Sequence, residues 1–193
     1  MTDEVARRLV HVTGATVPVA YLLGGDLVGW RLVQLFLAVA LVAVVVLEFL
    51  RLSVGLDWAI YDRLTRDYEQ ENPTGYALYI VGMAAVAGAV DIGLPVGAAV
   101  AAMLMLAIGD PISGLLGSAE ASNVKQAWVL LVMFGVCTLL AAPFVPTTAA
   151  LLGGVAATFA DGVKPTVAGY VVDDNLSIPV LGAAAMWVAV VAV

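Results

Sequence analysis

The run LVQLFLAVALVAVVVL, residues Leu32–Leu47, decides the fold. It contains no charged residue, and Glu48 and Arg51 close it. An α-helix needs about 20 mostly apolar residues to cross the hydrocarbon core of a bilayer. The run does not alternate between polar and apolar residues, as the strands of a membrane barrel do. It therefore predicts a transmembrane helix over about Gly29–Leu52.

The same apolar pattern recurs along the whole chain. Of its 193 residues, 63% are hydrophobic and 12% are charged, against about 45–50% and about 25% in a soluble domain. Backbone groups inside a bilayer must be paired within the structure, which favours helices. We predict an all-α fold, a polytopic integral membrane bundle of about seven transmembrane helices forming a single domain, 1–193. The predicted spans are Leu9–Leu23, Gly29–Leu52, Gly75–Val90, Leu94–Ile108, Lys125–Ala142, Thr147–Ala160 and Ile178–Val193.

The distribution of lysine and arginine predicts the orientation of the bundle. A cytoplasmic N-terminus puts every lysine and arginine except Arg31 on the cytoplasmic side, as is typical of membrane proteins. Nearly all the aspartates and glutamates then lie on that side as well. Residues 53–74 become a cytoplasmic interfacial segment, in which the apolar spacing of Trp58–Glu71 predicts an amphipathic helix.

Charge and cysteine content exclude some functions. The formal net charge of −7 argues against nucleic acid as a partner. The single cysteine, Cys137, excludes a disulfide framework or a multi-cysteine metal site within one chain. An acidic, lysine-poor composition also predicts a salt-loving source, because surplus surface charge is a feature of halophilic proteins.

Ionisable residues at membrane depth are functional candidates by default. Arg7, Arg8 and His11 lie at the mouth of the first span, and Arg7 and His11 share a helical face because they are four residues apart. They are interpreted either as a topology anchor or as a phosphate clamp with a proton acceptor. Lys125 begins a later span and is either a snorkelling anchor or a phosphate ligand. Local ion pairs between residues three apart account for two further sets, Glu48 with Arg51 and Arg66 with Glu69.

The stretch Gly109–Gly117, GDPISGLLG, is the most informative polar segment. Asp110 followed by proline predicts a helix start. Gly114 and Gly117, with Ser113 beside them, would leave a backbone groove near the exposed N–H groups of that start. Such a groove can accept phosphate, and a neighbouring carboxylate can hold Mg²⁺. A helix-packing face made of small residues is the equal alternative.

A second acidic segment precedes the last span. Asp173, Asp174 and Asn175 are followed by Ser177, which fits a helix start before Ile178. Carboxylate and amide oxygens of this kind suit Mg²⁺, and Asp161 lies upstream in the same predicted loop. A solvated acidic loop is the alternative interpretation.

Short motifs follow one another in order along almost the whole chain: Arg7–His11, Glu48–Arg51, Arg66–Glu69 with Thr74-Gly75 and Tyr79, Gly109-Asp110 with Gly117, and Asp174–Pro179. This series resembles the CTP-dependent polyprenol kinase family, which includes dolichol kinase, phytol kinase and CTP-dependent diacylglycerol kinase. The family is related to the phosphatidate cytidylyltransferases. The resemblance implies CTP as phosphoryl donor, Mg²⁺ as cofactor and a membrane lipid alcohol as acceptor.

From the residues and the resemblance together we expect a division of roles. Asp110 and Asp174 are expected to bind Mg²⁺ with help from Asn175. His11 or Asp161 is expected to accept the hydroxyl proton, with histidine favoured because imidazole exchanges protons near neutral pH. The expected nucleotide- and phosphate-binding residues are Arg7, Arg8, Gly109, Ser113, Gly114, Gly117 and Lys125. The expected supporting residues are Glu48, Arg51, Arg66 and Glu69.

The sequence leaves two other functions open. Where the family usually continues from its lysine to Glu-Gly, Lys125 is followed by Gln-Ala-Trp-Val, which favours a non-catalytic lipid-binding homologue. A CDP-lipid-forming cytidylyltransferase is the other alternative, although the long basic motif near the C-terminus of those enzymes is absent from the sequence. The acceptor can be a polyprenol, a prenyl alcohol or a diradylglycerol.

Overall fold

The computed structural model of the chain describes residues 4–55, 58, 65, 69–117, 125–163, 166–167 and 170–192. Within these ranges the chain is mostly helical, with turns between the helices and one pair of short antiparallel strands, Thr166–Val167 (β1) and Tyr170–Val171 (β2). The helices are α1 (Glu4–Thr13), α2 (Thr16–Leu23), α3 (Trp30–Phe49), α4 (Gly75–Ala89), α5 (Val96–Leu104), α6 (Asp110–Leu116), α7 (Ala127–Ala141), α8 (Thr147–Gly162) and α9 (Asp174–Val191).

Several helices are suited to a bilayer. Among the described residues, 4 helical runs are long and apolar enough to cross a membrane: Trp30–Val54, Gly75–Ile92, Val96–Leu116 and Asp174–Val191. The shorter α7 is also apolar. The all-α prediction is confirmed, and these helices are compatible with an integral membrane protein. The figure of about seven spans stays a prediction.

Helix α9 packs on α8, α4 and α5, and the run Val96–Leu116 is the most buried of the membrane-length helices among the described residues. The crossing of α9 with α4 is close because Gly82 has no side chain: a Cβ there would lie 2.8 Å from the backbone oxygen of Asn175. Small residues allow such approaches between membrane helices, which gain no hydrophobic energy from leaving lipid. Helix α3 packs on α4 at the edge of the bundle, and its outer face is apolar and exposed, as at Leu35 and Phe36.

The first predicted span is divided. Instead of one helix over Leu9–Leu23, the chain forms α1 and α2 with a break at residues 14–15. The Thr16 hydroxyl donates to the Thr13 carbonyl, and Pro18 cannot donate to the carbonyl of Gly14. Gly14 itself lies against the hydroxyl of Tyr79, where no side chain would fit. Local competition for backbone hydrogen bonds therefore ends α1 early.

Two predicted helix starts are wrong. Asp110 does not cap a new helix, because the run Val96–Leu116 is continuous through a π-helical turn, Met105–Gly109. Helix α9 begins before Ser177, at Asp174, and Asp173 caps it by accepting a hydrogen bond from the Asn175 backbone N–H at 3.0 Å. Asp161 belongs to the last turn of α8 and not to a loop.

The interfacial segment 53–74 is only partly described. Arg66 and most of the predicted amphipathic helix Trp58–Glu71 lie outside the described residues. From residue 69 onward the segment leads to α4, whose N-cap is Thr74.

Candidate metal and phosphate site

Three carboxylates from different helices converge at one end of the bundle. Asp110 follows the π-helical turn after α5, Asp161 ends α8, and Asp174 begins α9. Each offers an oxygen, and these oxygens lie within 4.8 Å of one another. Asp161 and Asp174 are buried. We call Asp110, Asp161 and Asp174 the carboxylate triad.

The triad and its neighbour have the chemistry of a Mg²⁺ site. Hard divalent cations prefer carboxylate and amide oxygens, and like charges this close disfavour one another unless a cation neutralises them. Next to Asp174, the Asn175 amide oxygen is buried and accepts no hydrogen bond among the described residues. An orphaned buried acceptor costs about 1–3 kcal/mol. A divalent ion would neutralise the triad, and Asn175 adds an amide oxygen without a hydrogen bond at the residue after Asp174, so the residues present fit the group.

Lys125 and Ser113 hold Asp161 from the side. The Lys125 ammonium donates to Oδ1 of Asp161 at 2.5 Å and to the Ser113 hydroxyl oxygen at 3.0 Å. The Ser113 hydroxyl donates to Oδ2 of Asp161 at 2.6 Å. Both carboxylate oxygens of Asp161 therefore accept hydrogen bonds. These contacts fix the orientation of the carboxylate beside Asp110 and Asp174.

His11, on α1, contacts the α5–α6 run at its π-helical turn, which leaves one backbone carbonyl without a helical donor. In the π-helical turn the Asp110 N–H donates to the Met105 carbonyl, and the next donor in that pattern would be Pro111, which has no N–H. Nε2 of His11 lies 3.0 Å from the carbonyl oxygen of Leu106 that is left over. A carbonyl only accepts, so Nε2 carries a hydrogen. It also lies 3.5 Å from Oδ2 of Asp110.

Arg8, on α1, packs against the helical run that carries Asp110. Its guanidinium donates to the Pro111 carbonyl at 3.4 Å and packs against Gly114, where a Cβ would collide with it. The prediction of exposed N–H groups at this point is wrong, because the helix has no start at Asp110. The glycine is instead needed to seat an arginine one helical turn from the triad.

The other predicted glycines have different surroundings. Gly109 lies within the π-helical turn, and a Cβ there would be 2.9 Å from the sulfur of Cys137. Gly117 ends α6 in an extended conformation. Gly109 therefore allows close packing of the run on α7, while Gly117 terminates it.

A second polar group adjoins the triad through Asn175. Nη2 of Arg7 lies 3.7 Å from Oε1 of the buried Glu69, which also accepts from the Gly75 N–H at 3.3 Å. A Cβ on Gly75 would meet the Asn175 side chain at 2.9 Å and Arg7 at 3.6 Å. Arg7, Glu69 and Asn175 thus surround the N-terminus of α4.

Glu48, in the last turn of α3, and Arg51, in the π-helical turn that follows it, brace this group. Arg51 donates to Oε2 of Glu48 at 2.7 Å and to the Asn72 carbonyl at 2.6 Å. Glu48 also accepts from the Thr74 hydroxyl at 2.9 Å. The local ion pair expected from their spacing is present, and it also fixes the end of α3 to the start of α4.

The far end of the bundle is different. There Arg31 and Asp91 pair across α3 and α4 at 2.9 Å, with 82% and 50% of their side chains exposed. This pair has none of the burial or crowding of the triad, and it provides matched control positions for the site.

The structure brings most of the predicted site residues together. The group around the triad and its Asn175 neighbour comprises Arg7, Arg8, His11, Glu48, Arg51, Glu69, Asp110, Ser113, Gly114, Lys125, Asp161, Asp174 and Asn175. Sequence reasoning gave Asp161 the role of a proton acceptor and not of a third carboxylate beside Asp110 and Asp174, and it missed that Lys125 binds Asp161. A carboxylate and a lysine at the ends of consecutive apolar spans were the available signal. It also missed the Leu106 carbonyl, which no side-chain pattern reveals.

No protein-family model, curated protein or solved structure matches the chain. What this site can do chemically therefore follows from its own residues, and the resemblance to polyprenol kinases stays a prediction.

Proposed function

We propose that this chain is a CTP-dependent, Mg²⁺-requiring kinase that transfers a phosphoryl group to the hydroxyl of a membrane lipid alcohol. The observation that carries the proposal is the carboxylate triad, bordered by Arg8 and Lys125, at one end of a bundle of membrane-length helices. Phosphoryl transfer asks a protein mainly for positioning and neutralised charge. Acidic and basic side chains placed together in this way supply both.

Asp110, Asp161 and Asp174 would hold the Mg²⁺ ion, with Asn175 beside them. When bound, such an ion neutralises charge on the transferring phosphoryl group. Arg7, Arg8 and Lys125 would bind donor phosphates, and the planar guanidinium of each arginine suits bidentate contact with phosphate oxygens. Glu48, Arg51 and Glu69 keep these groups in place through the contacts at the start of α4.

His11 is the favoured acceptor of the hydroxyl proton. Its ring lies beside the triad, with Nε2 3.5 Å from Oδ2 of Asp110, and imidazole exchanges protons near neutral pH. Asp161, the other expected acceptor, already receives two hydrogen bonds. Its role therefore becomes cation binding, and the proton passes to the imidazole.

The membrane would supply the acceptor. A lipid alcohol, such as a polyprenol or prenyl alcohol, keeps its hydroxyl at the interface and its chain among apolar helices, so that one reactant is positioned before it meets the nucleotide. We propose seven crossings with the N-terminus and the site on the cytoplasmic side of the cell membrane. The bias of lysine and arginine supports this orientation.

The test is a product assay on the purified chain with γ-labelled CTP or ATP and a panel of lipid alcohols and lipid phosphates. A phosphorylated lipid and CDP support the kinase, whereas pyrophosphate and a CDP-lipid identify a cytidylyltransferase. Asp110→Asn should lower the rate by about 100-fold or more, because a lost metal ligand removes several kcal/mol of charge stabilisation.

Asp91→Asn is the matched control, because it changes an aspartate at the far end of the same bundle, and it should leave the rate unchanged. Full activity of Asp110→Asn would refute the metal assignment. Absence of any nucleotide-dependent product with every alcohol would favour the non-catalytic homologue.

A further inference from the structure

Lys125 occupies an unusual place beside the triad. Its ammonium contacts Oδ1 of Asp161 and the Ser113 hydroxyl, while that hydroxyl donates to Oδ2 of the same carboxylate. Asp161 is fully buried, and the Lys125 side chain is 23% exposed. The lysine therefore approaches from the accessible side and covers one edge of a buried metal-ligand candidate.

The position of the ammonium matters because phosphoryl-transfer sites often use two divalent ions, about 3.5–4 Å apart, that share a carboxylate. A carboxylate ligated on one side by a metal can accept a second cation on its other side. At Asp161 that other side already carries a fixed positive charge. An ammonium cannot bind oxygens as tightly as Mg²⁺, but it leaves no room for another ion at the same oxygen.

The charge balance points the same way. One divalent ion and the Lys125 ammonium, which contacts Asp161, together equal the three negative charges of the triad, and Arg8 one helical turn away adds a further positive charge. A second divalent ion would overcompensate the triad before any nucleotide had bound. Buried charges are stable only when they are paired, and surplus charge of either sign is costly.

We infer that Lys125 serves as the fixed second cation of this centre, so that the carboxylate triad binds a single divalent ion. The inference rests on the proposed function, which supplies the divalent ion, and it specifies how many ions the site takes. Lys125 is then a positioning residue that acts through Asp161. Its contact with donor phosphate is a separate matter.

The test counts Mn²⁺ ions by electron paramagnetic resonance titration of the purified full chain in detergent, without nucleotide. Mn²⁺ is the probe, because it takes the same oxygen ligands as Mg²⁺. Triad sites are those that Asp110→Asn removes. We expect one triad ion in the unaltered protein and two in Lys125→Met, where the vacated space beside Asp161 and Ser113 admits a second ion.

Lys125→Arg keeps the charge and should keep the count at one, and Arg31→Met removes a cation from an exposed ion pair and should also keep it at one. Two triad ions in the unaltered protein would overturn the inference without touching the metal assignment, and this arm needs no Lys125 variant to fold. One ion of unchanged affinity in Lys125→Met would also overturn it. Absence of Mn²⁺ binding at the triad in the unaltered protein would overturn both the inference and the metal assignment. The kinase proposal is tested separately, and a phosphorylated lipid in the product assay would show that it survives.

Discussion

At the scale of single residues, the site is built from side chains whose hydrogen-bond partners are specified one by one. Arg8 is held between the Pro111 carbonyl and the bare backbone of Gly114. His11 takes a carbonyl that a proline leaves without a donor. The Arg8 contact depends on the Cβ that Gly114 lacks, and the His11 contact depends on the N–H that Pro111 lacks. A substitution that restores either group should therefore displace the side chain that contacts it.

Gly114→Ala tests this at Arg8. The added methyl group collides with the guanidinium, so the arginine must leave the Pro111 carbonyl and its place near the triad. Loss of one charge-assisted phosphate contact, about 1.5–3 kcal/mol, should raise the KM for CTP by about ten-fold or more. Steady-state kinetics with the lipid acceptor identified in the product assay measure this.

Gly135→Ala in α7 is the control, since nothing lies within 4 Å of a Cβ there. Its KM should equal that of the unaltered protein. An unchanged KM in Gly114→Ala would remove Arg8 from the phosphate-binding residues.

The sequence predicted the identity of these residues better than their contacts. Asp110, Asp174 and Lys125 stood out because charges are rare near membrane spans. Their grouping with Asp161 depends on how helices end in space, which single-residue patterns do not encode. The interpretation of Gly114 as part of an N–H groove was wrong because the proline after Asp110 was taken to mark a helix start. The helix instead continues past this proline, through the π-helical turn that precedes Asp110.

At the scale of the elements, the site is set by where helices end. The described spans α4, α5 with α6, α7, α8 and α9 each bring a polar terminus to the same end of the bundle. Apolar runs predicted most of these helices within a few residues. The ends of the helices were harder to predict than their apolar runs. The break between α1 and α2 comes from the Thr16 hydroxyl and Pro18, and α9 begins before Ser177 because Asp173 caps it.

The crossing of α4 and α9 should be sensitive to one methyl group. Gly82→Ala places a Cβ 2.8 Å from the Asn175 backbone oxygen and 2.9 Å from Cγ of Pro179, and neither backbone nor proline ring can rotate away. We expect a loss of about 1–3 kcal/mol in the free energy of unfolding. Thermal unfolding in detergent measures the loss as a lower Tm.

Gly88→Ala on the same helix has open space around its Cβ and should be neutral or more stable by up to about 1 kcal/mol, because alanine favours helix. Equal Tm values for the two variants would contradict the close crossing.

At the scale of the whole molecule, charge is unevenly distributed and in excess. The chain carries a net charge of −7, and the carboxylates that the structure describes include a crowded triad at one end. Composition alone predicted the membrane class, because 63% hydrophobic residues exceed what a soluble domain of this size contains. Composition does not determine which face carries the site, because that depends on the threading of every span.

Excess negative charge predicts that salt stabilises the protein. Raising KCl from 0.1 M to 1 M shortens the Debye length from about 10 Å to about 3 Å and screens the repulsion among carboxylates. We therefore expect the Tm to rise by several degrees over this range. A non-ionic osmolyte at matched osmolality should give a smaller rise. A Tm that stays flat or falls with KCl would contradict a salt-loving source.

The central claim is that Asp110, Asp161 and Asp174, carried by three separate helices, together hold one divalent cation. The most direct measurement is an anomalous difference map from crystals of the purified chain grown with Mn²⁺. We predict a peak at metal-ligand distance, close to the value of about 2.0–2.1 Å for Mg²⁺, from oxygens of all three aspartates. If the helices are in place and Mn²⁺ is in large excess over protein, a map without a peak between the three aspartates would contradict the account.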